Sequence, residues 1–298
     1  MAKIIESVPN ISEGRRPEVV AACVDAVRNV PGVTLMDYSS DASHNRSVIS
    51  YVGSPDGVEE ASVALAKKAA ELIDLTKHTG EHPRMGAVDV MPFIPIRETT
   101  TEDCVELSRR VGRRIAEEAG IPVFLYEASA TSPLHANLAD VRRGQFEGMA
   151  EKVLLPEWEP DFGGRRIHPT AGVVAVGARK PLIAYNINLD TPDVDIANSI
   201  AKTIRESSGG LPCVKAIGVK LAERNVAQVS INMIDYTVTS LHVVTELVRA
   251  EAVRYGAKVI GTELIGLAPM QAFADAAAYY LGIENFDFDR QVLENHLL

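Results

Sequence analysis

Twice along the chain the apolar pattern changes period in the same order: strand, helix, strand, strand, helix, strand. No other feature restricts the fold as much, because this is the order of the split βαβ, or ferredoxin-like, unit. In the first round, residues 3–9 read as a strand and Ser12-Glu13-Gly14 as a break. Pro17 suits the first turn of a helix whose Val20, Cys23, Val24 and Val27 share one face, and Pro31-Gly32 ends it. Val33 to Asp37 reads as a strand, Tyr38 to Asn45 as a polar loop and Ser47 to Val52 as a second strand. Val58, Ala61, Leu65, Ala69 and Leu72 form the apolar stripe of a second helix. Ala87 to Ile94 reads as a buried strand, and Thr99 with Glu102, or Thr100 with Asp103, offers a capping box for a helix that Gly120 closes. Pro122 to Glu127 is a further strand, Leu138 to Leu154 a helix, and Pro156 to Gly172 irregular.

The second round begins near Pro181, with strands at Leu182–Leu189, Val214–Val219, Ala227–Ile234 and Lys258–Ile265. Helices carry Ile196, Ile200 and Ile204, then Leu241, Val244, Leu247 and Val248, and Pro269 opens a last one to Leu281. The expectation is an α+β protein of two ferredoxin-like α/β sandwich subdomains, residues 1–178 and 181–298. Each would be a mainly antiparallel sheet with helices on one face, and a cleft between the modules would be a natural place for a ligand.

Composition narrows the classes of function. The 298 residues are 46% hydrophobic, enough for a sizeable core, and the formal net charge is -10. That balance argues against a nucleic-acid binder and requires a local basic patch for any polyanionic ligand. Cys23, Cys104 and Cys213 are odd in number and far apart, which fits a reduced, cytoplasmic protein without a zinc ribbon. The first residues lack the apolar core of a signal peptide, and Arg179-Lys180 interrupts the longest apolar region, so no membrane span is expected.

The stretch richest in chemistry is His78-Thr79-Gly80-Glu81-His82-Pro83-Arg84-Met85-Gly86. Gly80, Pro83 and Gly86 make it a rigid loop between two packed elements, where a scaffold commonly places its chemistry. His78 and His82 are four apart, but Gly80 and Pro83 argue against the helix a metal pair would need, and no metal is expected. For His82 two readings stand: a general acid–base, or an imidazole that hydrogen-bonds loop backbone. Arg84 either forms a solvated pair with Glu81 or clamps a substrate carboxylate. Asp37, Asp41, His44, Asn45 and Arg46 form a second polar cluster that is either an ordinary hairpin loop or a site in which a carboxylate orients a histidine and Arg46 clamps an anion. The third cluster, Asp161 to Gly172, holds Gly163, Gly164, Arg165, Arg166, Ile167, His168, Pro169, Thr170, Ala171 and Gly172. Its glycines let backbone approach a flat ligand and its arginines supply local positive charge; as a bland alternative it is a linker with two solvated arginines.

Taken together, these segments resemble the glutamate formiminotransferase family, including the N-terminal half of the bifunctional formimidoyltransferase-cyclodeaminases. The marks are Val8-Pro9-Asn10-Ile11-Ser12-Glu13-Gly14, Gly80-Glu81-His82-Pro83-Arg84-Met85-Gly86-Ala87-Val88-Asp89-Val90, Pro92-Phe93-Ile94-Pro95, Gly177-Ala178-Arg179-Lys180, Tyr185-Asn186-Ile187-Asn188-Leu189 and Asn225-Val226-Ala227-Gln228-Val229-Ser230. The resemblance covers nearly the whole chain, with the cyclodeaminase half absent. It implies a homodimer that moves the formimino group of N-formimino-L-glutamate to N5 of tetrahydrofolate in histidine breakdown. It makes His82 the catalytic residue, with residues 163–172 lining the folate site. The family carries an acidic residue where this chain has Ser39, which leaves Asp41 as the substitute partner for the histidine. Arg46, Arg84, Arg165 and Arg166 are then candidates to dock glutamate carboxylates, and Asn186, Asn188 and Gln228 are candidate amide contacts. The rival expectations are formyl transfer between 5-formyltetrahydrofolate and glutamate, a folate-binding protein without turnover and, most remotely, a metal-dependent hydrolase.

Overall fold

The computed structural model describes residues 2–296. Met1, Leu297 and Leu298, which the expected limits 1 and 298 include, lie outside the described residues. The chain divides after Arg179 into two compact units.

In the first unit the expected strand over residues 3–9 is two pieces, β1 (Ile4–Ser7) and β2 (Asn10–Ile11). Both pieces pair with the same two neighbours, so they act as one strand interrupted at Val8-Pro9, where proline has no N–H for a ladder. Then follow α1 (Pro17–Arg28), β3 (Val33–Asp41), β4 (Arg46–Gly53), α2 (Pro55–Leu72) and β5 (Val88–Arg97). The strand order β3, β4, β1/β2, β5 is antiparallel throughout and is that of a ferredoxin-like unit. β3 runs on through Tyr38–Asp41, which reads as loop from sequence, and Asp41 pairs with Arg46. An exposed edge strand has no apolar alternation to reveal it, and most of β3 is solvent-facing.

The unit is then extended by α3 (Thr101–Ala119), β6 (Val123–Glu127), α4 (Leu138–Arg142), α5 (Gln145–Lys152) and β7 (Val174–Ala178). The capping box of α3 is Thr100 with Asp103, and left-handed Gly120 ends the helix. The single helix expected over 138–154 is broken at Gly144, which takes φ +96°. β7 lies parallel to both β5 and β6, so the seven-stranded sheet is mainly antiparallel, as expected, with parallel pairing confined to this edge. It is also covered on both faces, not one. Cys23, Leu65, Phe93 and Leu107 belong to the core under α1, α2 and α3. Met85, Phe124, Val141 and Met149 build a second core that packs α4 and α5 against the other face.

The second unit comprises β8 (Ile183–Leu189), α6 (Val194–Ile204), β9 (Val214–Leu221), β10 (Val226–Met233), α7 (Leu241–Arg254), β11 (Val259–Ile265), α8 (Met270–Leu281) and the short α9 (Phe288–Gln291). Its four-stranded sheet has the order β11-β8-β10-β9, all antiparallel, which is ferredoxin-like without extension. Ile187, Ile200, Val229 and Val244 sit in its core. Among the described residues no helix is long and apolar enough to cross a membrane.

Candidate active site

Three loops of the first unit are tied together at the ends of β2, β3 and β5. The Ser12-Glu13-Gly14 break is fixed by the buried Glu13 carboxylate, which accepts the N–H groups of Arg15 and Arg16. A Cβ on Gly14 would stand 2.3 Å from the Asp41 carbonyl, so only glycine lets this loop meet the β3–β4 turn. The Asn45 side chain joins all three loops: Oδ1 accepts Gly14 N–H at 2.9 Å, and Nδ2 donates to the Thr79 carbonyl at 2.9 Å. His78 Nε2 lies 2.9 Å from the Asn45 carbonyl, and Glu81 and His82 donate their N–H groups to Ser43 and His44. The Gly/Pro-pinned loop is therefore clamped along most of its length.

Within it His82 is 8% exposed, and its Nε2 is 3.4 Å from Asp89 Oδ2. That is an ion-pair separation; Nε2 is sealed from solvent and makes no well-aligned hydrogen bond. Asp89 is fully buried. The register of β2 on β5 shifts between Asn10 and Ile11, whose partners are Val90 and Val88, so Asp89 is the extra residue of a β-bulge. A bulge re-aims a side chain that regular alternation would place elsewhere. Asp89 Oδ1 accepts Met85 N–H at 2.8 Å, and Oδ2 takes Nη2 of Arg142 from α4. Burial alone would raise the carboxyl pKa; the His82 ring, the Arg142 charge and the Met85 N–H together outweigh it and hold the group below its usual range. An ionised carboxylate thus stands behind the ring. Arg46 is a part-buried charge nearby, with Nε sealed and unpaired and with Asp41, Arg142 and Asp89 as its charged surroundings.

The carboxylate facing His82 is thus Asp89 and not Asp41. Asp41 turns to His44, accepting its N–H at 2.8 Å and lying 3.0 Å from its Nδ1. Backbone and side-chain contacts to His44 lower the Asp41 pKa against a smaller opposing effect of burial. Arg84 is 7% exposed and not solvated with Glu81; its guanidinium is held in a fork by Glu147 of α5, at 2.8 and 2.6 Å. The sequence alone does not single out Asp89, Arg142 and Glu147 as site residues. Asp89 did leave a signal: a carboxylate inside the apolar run 88–96 is buried only if paired.

The 163–172 segment is partly joined to this site. Ala171 accepts Ala87 N–H at 2.9 Å, Met85 accepts Val173 N–H at 3.1 Å, and a Cβ on Gly172 would fall 2.2 Å from the Met85 carbonyl. His168 Nδ1 accepts the N–H groups of Thr170 and Ala171, a turn-holding role, and burial lowers its pKa. At the other end Gly163 and Gly164 take φ +89° and +74°, with open space above Gly164. That exposed backbone fits the face of a flat ligand. Arg165 pairs with Glu159 at 2.6 Å. In the second unit Gln228 donates to Asn188 at 2.8 Å and to Glu263 at 3.0 Å, while Asn186 accepts Ile231 N–H. Gln228, Asn188 and Glu263 form a polar network of their own on one sheet, and Asn186 is bonded to backbone apart from it. Among the described residues no group of three or more His, Cys, Asp or Glu is placed to hold a metal ion.

Comparison with known proteins adds identity to this geometry. A profile described as the formiminotransferase domain, N-terminal subdomain, matches residues 4–179, and one described as the formiminotransferase domain matches 184–295. The chain is 58% identical to a glutamate formimidoyltransferase of Streptococcus pyogenes serotype M1, over the full length of both. It is 43% identical to a glutamate formimidoyltransferase of Thermoplasma acidophilum, covering 99% of this chain and 97% of the relative. Against the mouse formimidoyltransferase-cyclodeaminase the identity is 44% over 94% of this chain, which spans 53% of that longer protein. Two matching profiles over both units, and relatives at this identity over the whole length, mean that the chain belongs to the formiminotransferase family.

Proposed function

We propose that the protein transfers the formimino group of N-formimino-L-glutamate to N5 of tetrahydrofolate, giving 5-formiminotetrahydrofolate and glutamate in histidine degradation. The observation that carries this reading is the full-length, 58% identity to a glutamate formimidoyltransferase. The residues of the His82 loop fit the chemistry. The reaction must remove a proton from the attacking amine and deliver one to the departing glutamate nitrogen. His82 is the shuttle for both, with Nε2 facing the Asp89 carboxylate and Nδ1 left to the substrates. Asp89 fixes the tautomer and balances the transient imidazolium, and Arg142 keeps Asp89 ionised. Residues 163–172 carry the folate, Gly164 offering its open backbone to the pterin. Holding both substrates in register contributes at least as much as the proton transfers, which alone are worth roughly 10²–10⁴-fold. The scheme draws on no metal ion. It takes the two units as the family's two subdomains and the working protein as a cytoplasmic homodimer.

A coupled assay following 5-formiminotetrahydrofolate tests the reading. Product from formiminoglutamate, and much less transfer from formylglutamate in parallel, is the expected result. Transfer from formylglutamate alone, or from neither donor, overturns it.

A further inference from the structure

A cleft of about 470 Å³ opens beside the His82 loop, lined by His78, Thr79, Gly80, Arg84, Gly144, Gln145 and Glu147. Its one cation is Arg84, and the protein encloses that side chain on nearly every side: Nε donates to His78 Nδ1 at 3.2 Å, and Nη1 reaches Gln145 Oε1 at 3.2 Å. His78 is fixed in its turn, Nε2 on the Asn45 carbonyl, so its Nδ1 is an acceptor and the ring adds no charge. Among the described residues the only carboxylate on Arg84 is Glu147, and it comes from the open side. The Arg84 side chain is 8% exposed and that of Glu147 64%. A bidentate fork is thus rigidly built, while the group filling it stands in water on the first turn of a two-turn helix. So exposed a carboxylate is well hydrated when it leaves, and another carboxylate can take its place in the fork at small cost. The helix is entered through two left-handed residues, Gly144 at φ +96° and Gln145 at φ +54°. For glutamine that conformation is costly, and such residues concentrate where ligands are clamped.

We propose that Glu147 is a stand-in for a ligand, and that Arg84 binds the glutamyl carboxylate of a substrate once Glu147 swings out. The proposal deepens the function given above and rests on it for the identity of the substrate. Arg84 is two residues from His82 in a pinned loop, so their Cα atoms lie within about 7 Å. A glutamyl group spans about 5 Å from its nitrogen to its side-chain carboxylate, given bond lengths of roughly 1.5 Å. A carboxylate on Arg84 would therefore be held by the same pinned loop that carries the imidazole. Formiminoglutamate and the tail of tetrahydrofolate both end in this chemistry. The tethered carboxylate lowers apparent affinity by the fraction of time it occupies the fork.

Kinetics of Glu147→Gln and Arg84→Lys, with glutarate titrated calorimetrically into both variants and the parent, test the proposal. Glu147→Gln should lower one KM about tenfold, on the scale of ~1.4 kcal/mol, and Arg84→Lys should raise the same KM at least as much. If that KM is the one for formiminoglutamate, the donor is the occupant; if it is the one for tetrahydrofolate, the folate tail is. Glutarate should bind Glu147→Gln more tightly than the parent and Arg84→Lys more weakly. Equal affinity in all three folded proteins, or weaker binding to Glu147→Gln, would overturn the proposal. Because glutarate binding needs no turnover, absence of formimino transfer with tighter glutarate binding would fail the reaction and keep the carboxylate site.

Discussion

The first unit holds two buried His–Asp pairs of nearly equal separation, His82–Asp89 at 3.4 Å and His135–Asp161 at 3.5 Å. Their settings differ. His135 is 3% exposed, edge-on to Phe124 and stacked on Trp158, and both its ring nitrogens are sealed. Its carboxylate is used by the Leu125 N–H and the Thr131 hydroxyl, so the pair ties β6 to the segment after α5. His82 has only Nε2 sealed, lies in a loop clamped by two others, and has a carboxylate backed by an arginine. The same two side chains are thus a fastening in one place and a candidate proton shuttle in the other. The distinction is solvent access to the second ring nitrogen, not the pairing itself.

Substituting each histidine breaks the comparison most sharply. His82→Ala should lose about 10²–10⁴-fold in turnover with the fold retained, whereas His135→Ala should keep turnover per folded molecule and lower the melting temperature. Equal losses of turnover would mean that the two pairs are not different in kind. The carboxylates come next. Asp89→Asn should cost about 10–100-fold in turnover, the scale of losing an orienting partner, and Asp161→Asn should show its effect in thermal melts alone.

The smallest effect is in acid. Burial raises the Asp161 pKa, but His135, Thr131 and the Leu125 N–H bring it below the ordinary value, as their counterparts do for Asp89. A carboxyl with a lowered folded pKa stabilises fully above its unfolded pKa of about 3.9, and that contribution is lost as pH falls through the folded value. The melting temperature of Asp161→Asn should therefore lie furthest below that of the parent above about pH 5, and approach it below about pH 4. A gap independent of pH would show that the carboxylate charge is not what the pair contributes.

The chain by itself determined the two rounds of ferredoxin-like elements, because apolar period and Gly/Pro punctuation are local properties, and it determined the rigid loop around His82 for the same reason. It left β7 unannounced inside a longer apolar run, and it gave the second half of β3, Tyr38 to Asp41, the look of a loop because an exposed edge strand carries polar residues on both faces. Tertiary structure alone decided the partner of the His82 imidazole. Asp41 is near in the loop pattern and Asp89 is seven residues beyond His82, yet the bulge in β5 turns Asp89 to the ring while the hairpin turn gives Asp41 to His44. Register, bulges and the meeting of Arg84 with Glu147 depend on which strands and helices pack together, and no window of sequence contains that information.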